Sequence, residues 1–248
     1  MTRLLILGGT TEAATLAEAL SGWPDIDVIT SLAGRTRNPE HLPGEMRIGG
    51  FGGAEGLISY LRDQSIDVLI DATHPFADQM SSQAVLAADQ VGIERLRLVR
   101  PSWEKQPGDH WVEATDAADA AKLLPSLGRR VFLTSGHKDL AAFAGLDDLW
   151  FLIRTIEPVA AGGPLPQQVH FIRAKGPFDE ATEIALLRKY RIDTLVTKAS
   201  GGDATYAKLS AARRLGLPVI MIRRPSPPPG PLVHDTAAAL TWLRQVTA

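Results

Sequence analysis

The 248 residues include no cysteine. That absence removes disulfides, thiolate nucleophiles, cysteine-ligated zinc and iron–sulfur clusters from the possible chemistry, and it suits the reducing cytoplasm, the expected location. Aromatic residues make up only 6% of the chain, so a core must be built mainly from the aliphatic side chains that bring the apolar share to 45%. Charge of one sign is also missing: 26 basic and 28 acidic residues leave a net charge of −2, no field to recruit nucleic acid or an anionic membrane. No stretch approaches the ~18 uninterrupted apolar residues needed to span a bilayer. Residues 1–22 lack the basic start and unbroken apolar core of a secretory signal, so a soluble, unprocessed chain is expected. The six histidines are scattered, without an HExxH or a short His-x-His cluster, and no metal site is expected.

What the chain does have is alternation. Short β-branched or leucine-rich runs at Leu4–Leu7, Asp27–Ser31, Met46–Ile48, Val68–Asp71 and Arg95–Val99 are separated by helical patterns at Thr11–Leu20, Ala54–Asp63 and Phe76–Val91. The pattern restarts with strands Val131–Thr134, Trp150–Arg154, Val169–Arg173, Thr194–Thr197 and Val219–Ile222, and helices Asp139–Ala144, Asp179–Tyr190, Ala204–Leu215 and Asp235–Gln245. This is the signature of parallel α/β sheets covered on both faces. Proline, glycine and charge interrupt it within Pro101–His110, which suggests a first domain over residues 1–105 and a second over 106–248. The segment Pro158–Gln167 predicts an exposed loop, and the proline run Arg224–Pro231 a stiff connection to the last helix.

The first strand runs into Gly8-Gly9-Thr10-Thr11. In open α/β sheets ligands bind beyond the carboxyl ends of the strands, and a helix N-terminus there attracts phosphate. Gly8 and Gly9 stand where a side chain would block that approach, while Thr10 and Thr11 offer hydroxyls to cap the helix or to bond a phosphate. The third glycine of G-x-G-x-x-G is missing, and Ala13 or Ala14 takes its place. Roughly 20 residues on, an NAD enzyme sets an acid against the ribose 2′-hydroxyl. Here the second strand ends at Ser31 without an acid and leads to Gly34 and Arg35, with Arg37 nearby. A hydroxyl beside an arginine fork suits a 2′-phosphate, so NADPH is the expected coenzyme. Gly52 and Gly53, after the third strand, allow close backbone approach to the same ligand. After the fourth strand, Pro75 favours an extended His74 and aims Thr73 and His74 over the strand ends, with Phe76 following.

Taken in order, LILGGTTEA, SLAGRT, GGFGG, IDATHPFA, LTSGHKDL and TKASGG span nearly the whole chain and resemble the precorrin-6A reductase family, NADPH-dependent enzymes of the corrin ring pathway to vitamin B12. The resemblance implies two Rossmann-like domains with mostly parallel sheets and a tetrapyrrole in a cleft between them. It implies hydride transfer from the nicotinamide to a macrocyclic double bond, giving the dihydro product precorrin-6B, with a proton added elsewhere in the ring system. Other corrin-pathway enzymes become possible partners. A substrate rich in carboxylates needs separated donors, and the second half supplies them at its own strand ends: Ser135 and Gly136, then Lys198, Ser200, Gly201 and Gly202. Phe76 is a further candidate for the substrate. His74 and Lys198 are the candidate catalytic residues, with the proton source open between them and a substrate group. Lys208 is a weaker candidate for the substrate, since a lysine on that helix is usually a solvated surface residue, and Lys138-Asp139 reads as an ordinary helix start.

Two other readings fit the cofactor turn. One is another NADP-dependent oxidoreductase; a short-chain dehydrogenase would need Tyr-x-x-x-Lys, yet none of Tyr60, Tyr190 and Tyr206 has a lysine four residues later. The other is a non-catalytic NADP-sensing module, which would not need the second set of polar turns.

Overall fold

The structure, a computed structural model, describes residues 1–34, 41–159 and 162–247. Its elements run β1 (Thr2–Leu7), α1 (Thr11–Leu20), β2 (Ile26–Leu32), β3 (Glu45–Ile48), α2 (Ala54–Asp63), β4 (Val68–Asp71), α3 (Asp78–Val91) and β5 (Glu94–Leu98). There follow β6 (His110–Ala114), α4 (Ala117–Leu127), β7 (Arg130–Leu133), a 3₁₀ segment (His137–Phe143), β8 (Trp150–Thr155), β9 (Gln168–Arg173) and α5 (Glu180–Lys189). The chain ends with β10 (Thr194–Lys198), a 3₁₀ turn (Asp203–Thr205), α6 (Ala207–Arg214), β11 (Pro218–Ile222), β12 (Leu232–Val233) and α7 (Thr236–Val246). None of the described helices is long and apolar enough to cross a membrane.

Two compact units result: Met1–Pro101 joined by Pro225–Ala248, and Ser102–Arg224. The sequence assigns residues 106–248 to one domain, whereas the structure returns the last 24 of them to the first unit. The proline run explains how. Pro229 and Pro231 have no N–H to satisfy, and their carbonyls accept from the Arg95 side chain at 2.6 Å and from the Arg97 amide at 3.0 Å. That lays β12 parallel to β5, with Leu232 opposite Arg97.

Each unit holds one six-stranded sheet, parallel throughout, ordered β12-β5-β4-β1-β2-β3 in the first and β6-β11-β10-β7-β8-β9 in the second. From the opposite edge, both follow the doubly wound arrangement in which the order of strands reverses between the two central ones. The reversal falls between β1 and β4 in the first unit, and between β7 and β10 in the second. Their sixth strands differ in origin, since β12 arrives after the whole second unit and β6 comes before β7.

In the first sheet, alternate residues of β1 feed opposite layers, as the two-residue period of a strand requires. Leu4 and Ile6 pack with Leu16 and Leu20 of α1 and Leu243 of α7, while Leu5 and Leu7 pack with Leu57 and Leu61 of α2 and Ala84 and Ala88 of α3. Both faces are covered, which is why Leu4–Leu7 of β1 and Val68–Ile70 of β4 are continuous apolar runs. In the second unit Phe132, Leu152 and Leu195 pack against Leu187 of α5 and Leu209 of α6.

Side-chain caps start α1, α4, α5 and α7: Thr10, Asp116, Asp179 and Asp235 accept from the N–H groups of Ala13, Asp119, Thr182 and Ala238. The Thr182 hydroxyl, and then its amide, hold the Asp179 carboxyl below the ordinary carboxylate range. The cap therefore stabilises α5 fully above that range, and its contribution is lost as pH falls through the lowered value. Asp179→Ala should accordingly be less stable than the parent at neutral pH, with the difference in urea midpoint shrinking on acidification.

Three expected elements change form. The helix from Phe76 starts instead at Asp78, the expected helix Asp139–Ala144 is replaced by the 3₁₀ segment His137–Phe143, and Ala204–Leu215 divides into a 3₁₀ turn and α6. Strands β6 and β12 and helix α4 are absent from the sequence expectation. The described residues of the loop Pro158–Gln167 form no helix or strand.

Candidate functional site

The point where the strand order of the first sheet reverses is tied together by backbone and by one hydroxyl. Gly8 donates to the Ser31 carbonyl at 2.8 Å and Ala72 donates to the Leu7 carbonyl at 3.0 Å. Thr10 Oγ1 donates to the Ala72 carbonyl at 2.8 Å while accepting from the Ala13 amide at 3.2 Å. Its hydroxyl proton is thus used inside the turn, and Thr10 works as a cap that joins the ends of β1 and β4. Thr11 is the exposed first residue of α1.

The two opening glycines are needed for different reasons. A Cβ on Gly8 would sit 3.2 Å from both Leu32 and Thr30 side chains, so this position allows β2 to approach. Gly9 adopts φ +104°, a conformation side chains rarely take, and a Cβ there would meet nothing within 4 Å. The space around that position, beside the turn that opens α1, is therefore free of other protein atoms. The missing third glycine is explained as well: Ala13 is fully buried, and its Cβ lies only 3.5 Å from the Gly8 Cβ position.

Ser31, the penultimate residue of β2, is 5% exposed, and its Oγ accepts from Arg47 Nη1 at 3.3 Å. Gly34 follows with φ +71°. Arg35, the expected 2′-phosphate ligand, and Arg37 lie outside the described residues. Gly52 and Gly53 take φ +83° and +100° ahead of α2, with open space at both Cβ positions.

Beyond β4 the turn is anchored from below. The Asp71 side chain is 1% exposed and pairs through Oδ2 with Arg97 Nη1 at 2.7 Å. Its Oδ1 accepts from Thr73, both the amide at 3.1 Å and the hydroxyl at 2.6 Å. Arg97 Nη1 also donates to Ser81 Oγ. Above this network His74 is exposed, its Nδ1 accepting from the Phe76 amide at 3.2 Å, with the two rings 5.9 Å apart. An N–H donor on Nδ1 places the proton of the neutral ring on Nε2.

In the second unit, Thr134 bonds the Val196 carbonyl through its amide at 3.0 Å and its hydroxyl at 3.1 Å, tying β7 to β10. Ser135 is 5% exposed, and its buried Oγ has no hydrogen-bond partner among the described residues. Gly136 follows with φ +88°. Across the reversal, Lys198 Nζ meets Asp139 Oδ2 at 2.8 Å. Asp139 is therefore more than a helix-start acid, because it holds the ammonium of the neighbouring turn.

That turn is itself clamped. Arg224 donates from Nε to the Ala199 carbonyl at 2.6 Å and from Nη2 to the Ser200 carbonyl at 2.9 Å, and the Trp103 indole donates to the Gly202 carbonyl at 2.8 Å. Ser200 is 9% exposed and its amide donates to the Lys198 carbonyl at 2.7 Å. Gly201 and Gly202 take φ +67° and +77°. Lys208 is the misjudged residue: it is 3% exposed, with Nζ 3.0 Å from the Thr205 carbonyl and 4.8 Å from the centre of the Trp103 ring. An ammonium facing an indole ring can be buried where it also finds a carbonyl.

The structure thus gathers Gly8, Gly9, Thr10, Thr11, Thr73 and His74 at the reversal of the first sheet, with Ser31, Gly34, Gly52 and Gly53 on the adjoining turns. Ser135, Gly136, Lys198, Ser200, Gly201 and Gly202 line the reversal of the second. Arg47, Asp71, Arg97, Asp139 and Arg224 complete these rims, and no local sequence signal marked them as such.

Comparison with known proteins gives this geometry its family. The family model described as precorrin-6x reductase CbiJ/CobK matches residues 3–244. A precorrin-6A reductase of Rhodococcus erythropolis is 52% identical over 248 residues, covering 100% of this chain and 99% of that protein. One from Sinorhizobium sp is 46% identical, covering 97% of this chain and 94% of that protein. The solved structure of a CobK precorrin-6A reductase matches 100% of this chain and 98% of its own with a TM-score of 0.93 and 42% identity. Fold, strand-end turns and full-length similarity agree, and the chain belongs to the precorrin-6x reductase family, CbiJ/CobK.

Proposed function

We propose that the chain reduces a double bond of the precorrin-6A macrocycle to give precorrin-6B, with NADPH as the hydride donor. The family supports the reduction. The observation that carries the choice of coenzyme is the end of β2, where Ser31 stands and no acid closes the strand, with Arg35 following in the sequence. A carboxylate there would repel a 2′-phosphate, whereas a hydroxyl with a cation attracts one.

In this reading the first unit is the coenzyme domain. Gly8, Gly9 and the α1 N-terminus receive the pyrophosphate, with Thr11 beside it. Thr10 keeps the turn in shape. Ser31, Gly34 and Arg35 surround the 2′-phosphate, Gly52 and Gly53 let the backbone come close to the adenosine half, and Thr73 and His74 face the nicotinamide half. Bound NADPH supplies a hydride from its dihydronicotinamide ring. The second unit takes carboxylates of the tetrapyrrole: Ser135 through its unsatisfied hydroxyl, Lys198 through its ammonium, and Ser200, Gly136, Gly201 and Gly202 through hydroxyl and backbone. Phe76 offers an apolar face to the ring. Hydride added to one carbon and a proton added to another ring atom complete the reduction, and His74 and Lys198 are the side chains proposed to manage that proton. The residue inventory suits a cytoplasmic enzyme drawing on the NADPH pool.

Anaerobic incubation with NADPH and precorrin-6A tests the reaction class. Stoichiometric loss of the nicotinamide and tetrapyrrole absorption bands is expected. Coenzyme binding with no oxidation in the presence of the tetrapyrrole would leave only a sensor.

A further inference from the structure

Arg47 carries no assignment so far, yet it has an unusual setting. Its position on β3 is directly opposite Ser31 in the parallel register of β2 and β3. The guanidinium is held from several sides: Nη1 donates to Ser31 Oγ at 3.3 Å and to the Gly49 carbonyl at 2.6 Å, and Nη2 donates to the Gly50 carbonyl at 2.8 Å. It lies over the Phe51 ring, 3.8 Å from its centre, with the Tyr60 ring 5.1 Å away. All these polar partners are neutral. Arg3, Arg97, Arg100, Arg154 and Arg213 each meet a carboxylate at 2.6 to 2.9 Å, but Arg47 has no ion-pair partner among the described residues. A fixed, uncompensated guanidinium at the carboxyl edge of β2 and β3 is suited to an anion supplied by a ligand.

We propose that Arg47 is a specificity-determining residue that binds the 2′-phosphate of NADPH together with Ser31. The proposal rests on the NADPH reading above and adds to it a cation from the neighbouring strand. In dinucleotide folds the ribose 2′ substituent is read at the end of the second strand, and Ser31 and Arg47 meet there. The ring stack and the two carbonyls fix the guanidinium before the coenzyme arrives, so little side-chain freedom remains to be lost on binding.

The test is binding of NADPH, NADH, adenosine 2′,5′-bisphosphate and ADP to the full chain, read by fluorescence or calorimetry, in the parent, Arg47→Met and Arg47→Lys. The parent should prefer NADPH over NADH and the bisphosphate over ADP. Arg47→Met should weaken both 2′-phosphorylated ligands by about 10- to 100-fold, the range for losing one hydrogen bond to a charged group. NADH and ADP should change by less than about threefold, within the scatter of such effects. Arg47→Lys keeps the charge without the fork, and should fall between the two. If Met or Lys weakens all four ligands equally, Arg47 only braces the Gly49–Gly53 turn or stacks on adenine, and the proposal fails. It fails likewise if the parent's preference survives both substitutions. A parent without any preference for the 2′-phosphate would remove the NADPH reading itself, and this inference with it. Arg47→Lys retains stem and charge, so it keeps the question decidable should the methionine variant not fold.

Discussion

Asp71→Ala should cost about 3–5 kcal/mol of stability, because it leaves the Arg97 guanidinium buried without its carboxylate. The partners are only 5% and 1% exposed, so water cannot replace the lost charge. The loss should appear as a lower urea midpoint and as faster hydrogen exchange of the β4 and β5 amides. The same carboxylate also holds Thr73 by two hydrogen bonds, one from its amide and one from its hydroxyl. Stability and coenzyme binding can therefore be separated. The double change Asp71→Leu with Arg97→Met removes both charges, and such replacements of buried pairs are often close to neutral. It should recover most of the stability, while NADPH affinity stays reduced because the two hydrogen bonds that hold Thr73 to Asp71 are gone. Recovery of affinity along with stability would show that the network supports the fold alone.

That network also shows where local sequence stops being informative. Strand β4 was legible as Val68–Asp71 because an apolar run buried on both faces ends at an acid and a turn. The acid looked like part of the turn, and its tie to Arg97 on the next strand depends on the register Asp71 opposite Arg97. The same limit applies to Ser31 with Arg47, and to Lys198 with Asp139. Each pair joins residues from separate strands or from the segment that follows one, which only the strand order brings together. Glycine turns, by contrast, could be read directly, since Gly8, Gly9, Gly52 and Gly53 serve a local backbone need.

Short edge strands failed for a different reason. His110–Ala114 is exposed or half-buried over most of its length, and Leu232–Val233 has two residues, so neither carries a run or an alternation long enough to see. Helix α4 was missed although Asp116 caps it, because Pro125 interrupts its pattern in the last turn. The return of residues 225–248 to the first unit depended on the β12–β5 pairing, which no local signal near the proline run encodes.

Lys198→Met should lower kcat by about 10²- to 10⁴-fold, the usual contribution of a positioned proton donor, with NADPH affinity unchanged. The geometry separates the two proton candidates. His74 Nδ1 accepts from the Phe76 amide at 3.2 Å, and that bond exists only while Nδ1 is unprotonated. His74 thereby acts as a hydrogen-bond donor through Nε2, suited to orienting a ligand. Lys198 instead presents an ammonium with three protons, steered by Asp139 at 2.8 Å. His74→Asn should then raise the KM for NADPH while lowering kcat by less than about tenfold, since orientation rather than proton transfer is lost. Asp139→Asn leaves Lys198 in place but unsteered, and its loss should fall in kcat, smaller than that of Lys198→Met. Single-turnover decay of the nicotinamide band at saturating tetrapyrrole separates these outcomes. A kcat deficit larger in His74→Asn than in Lys198→Met would reverse the two roles.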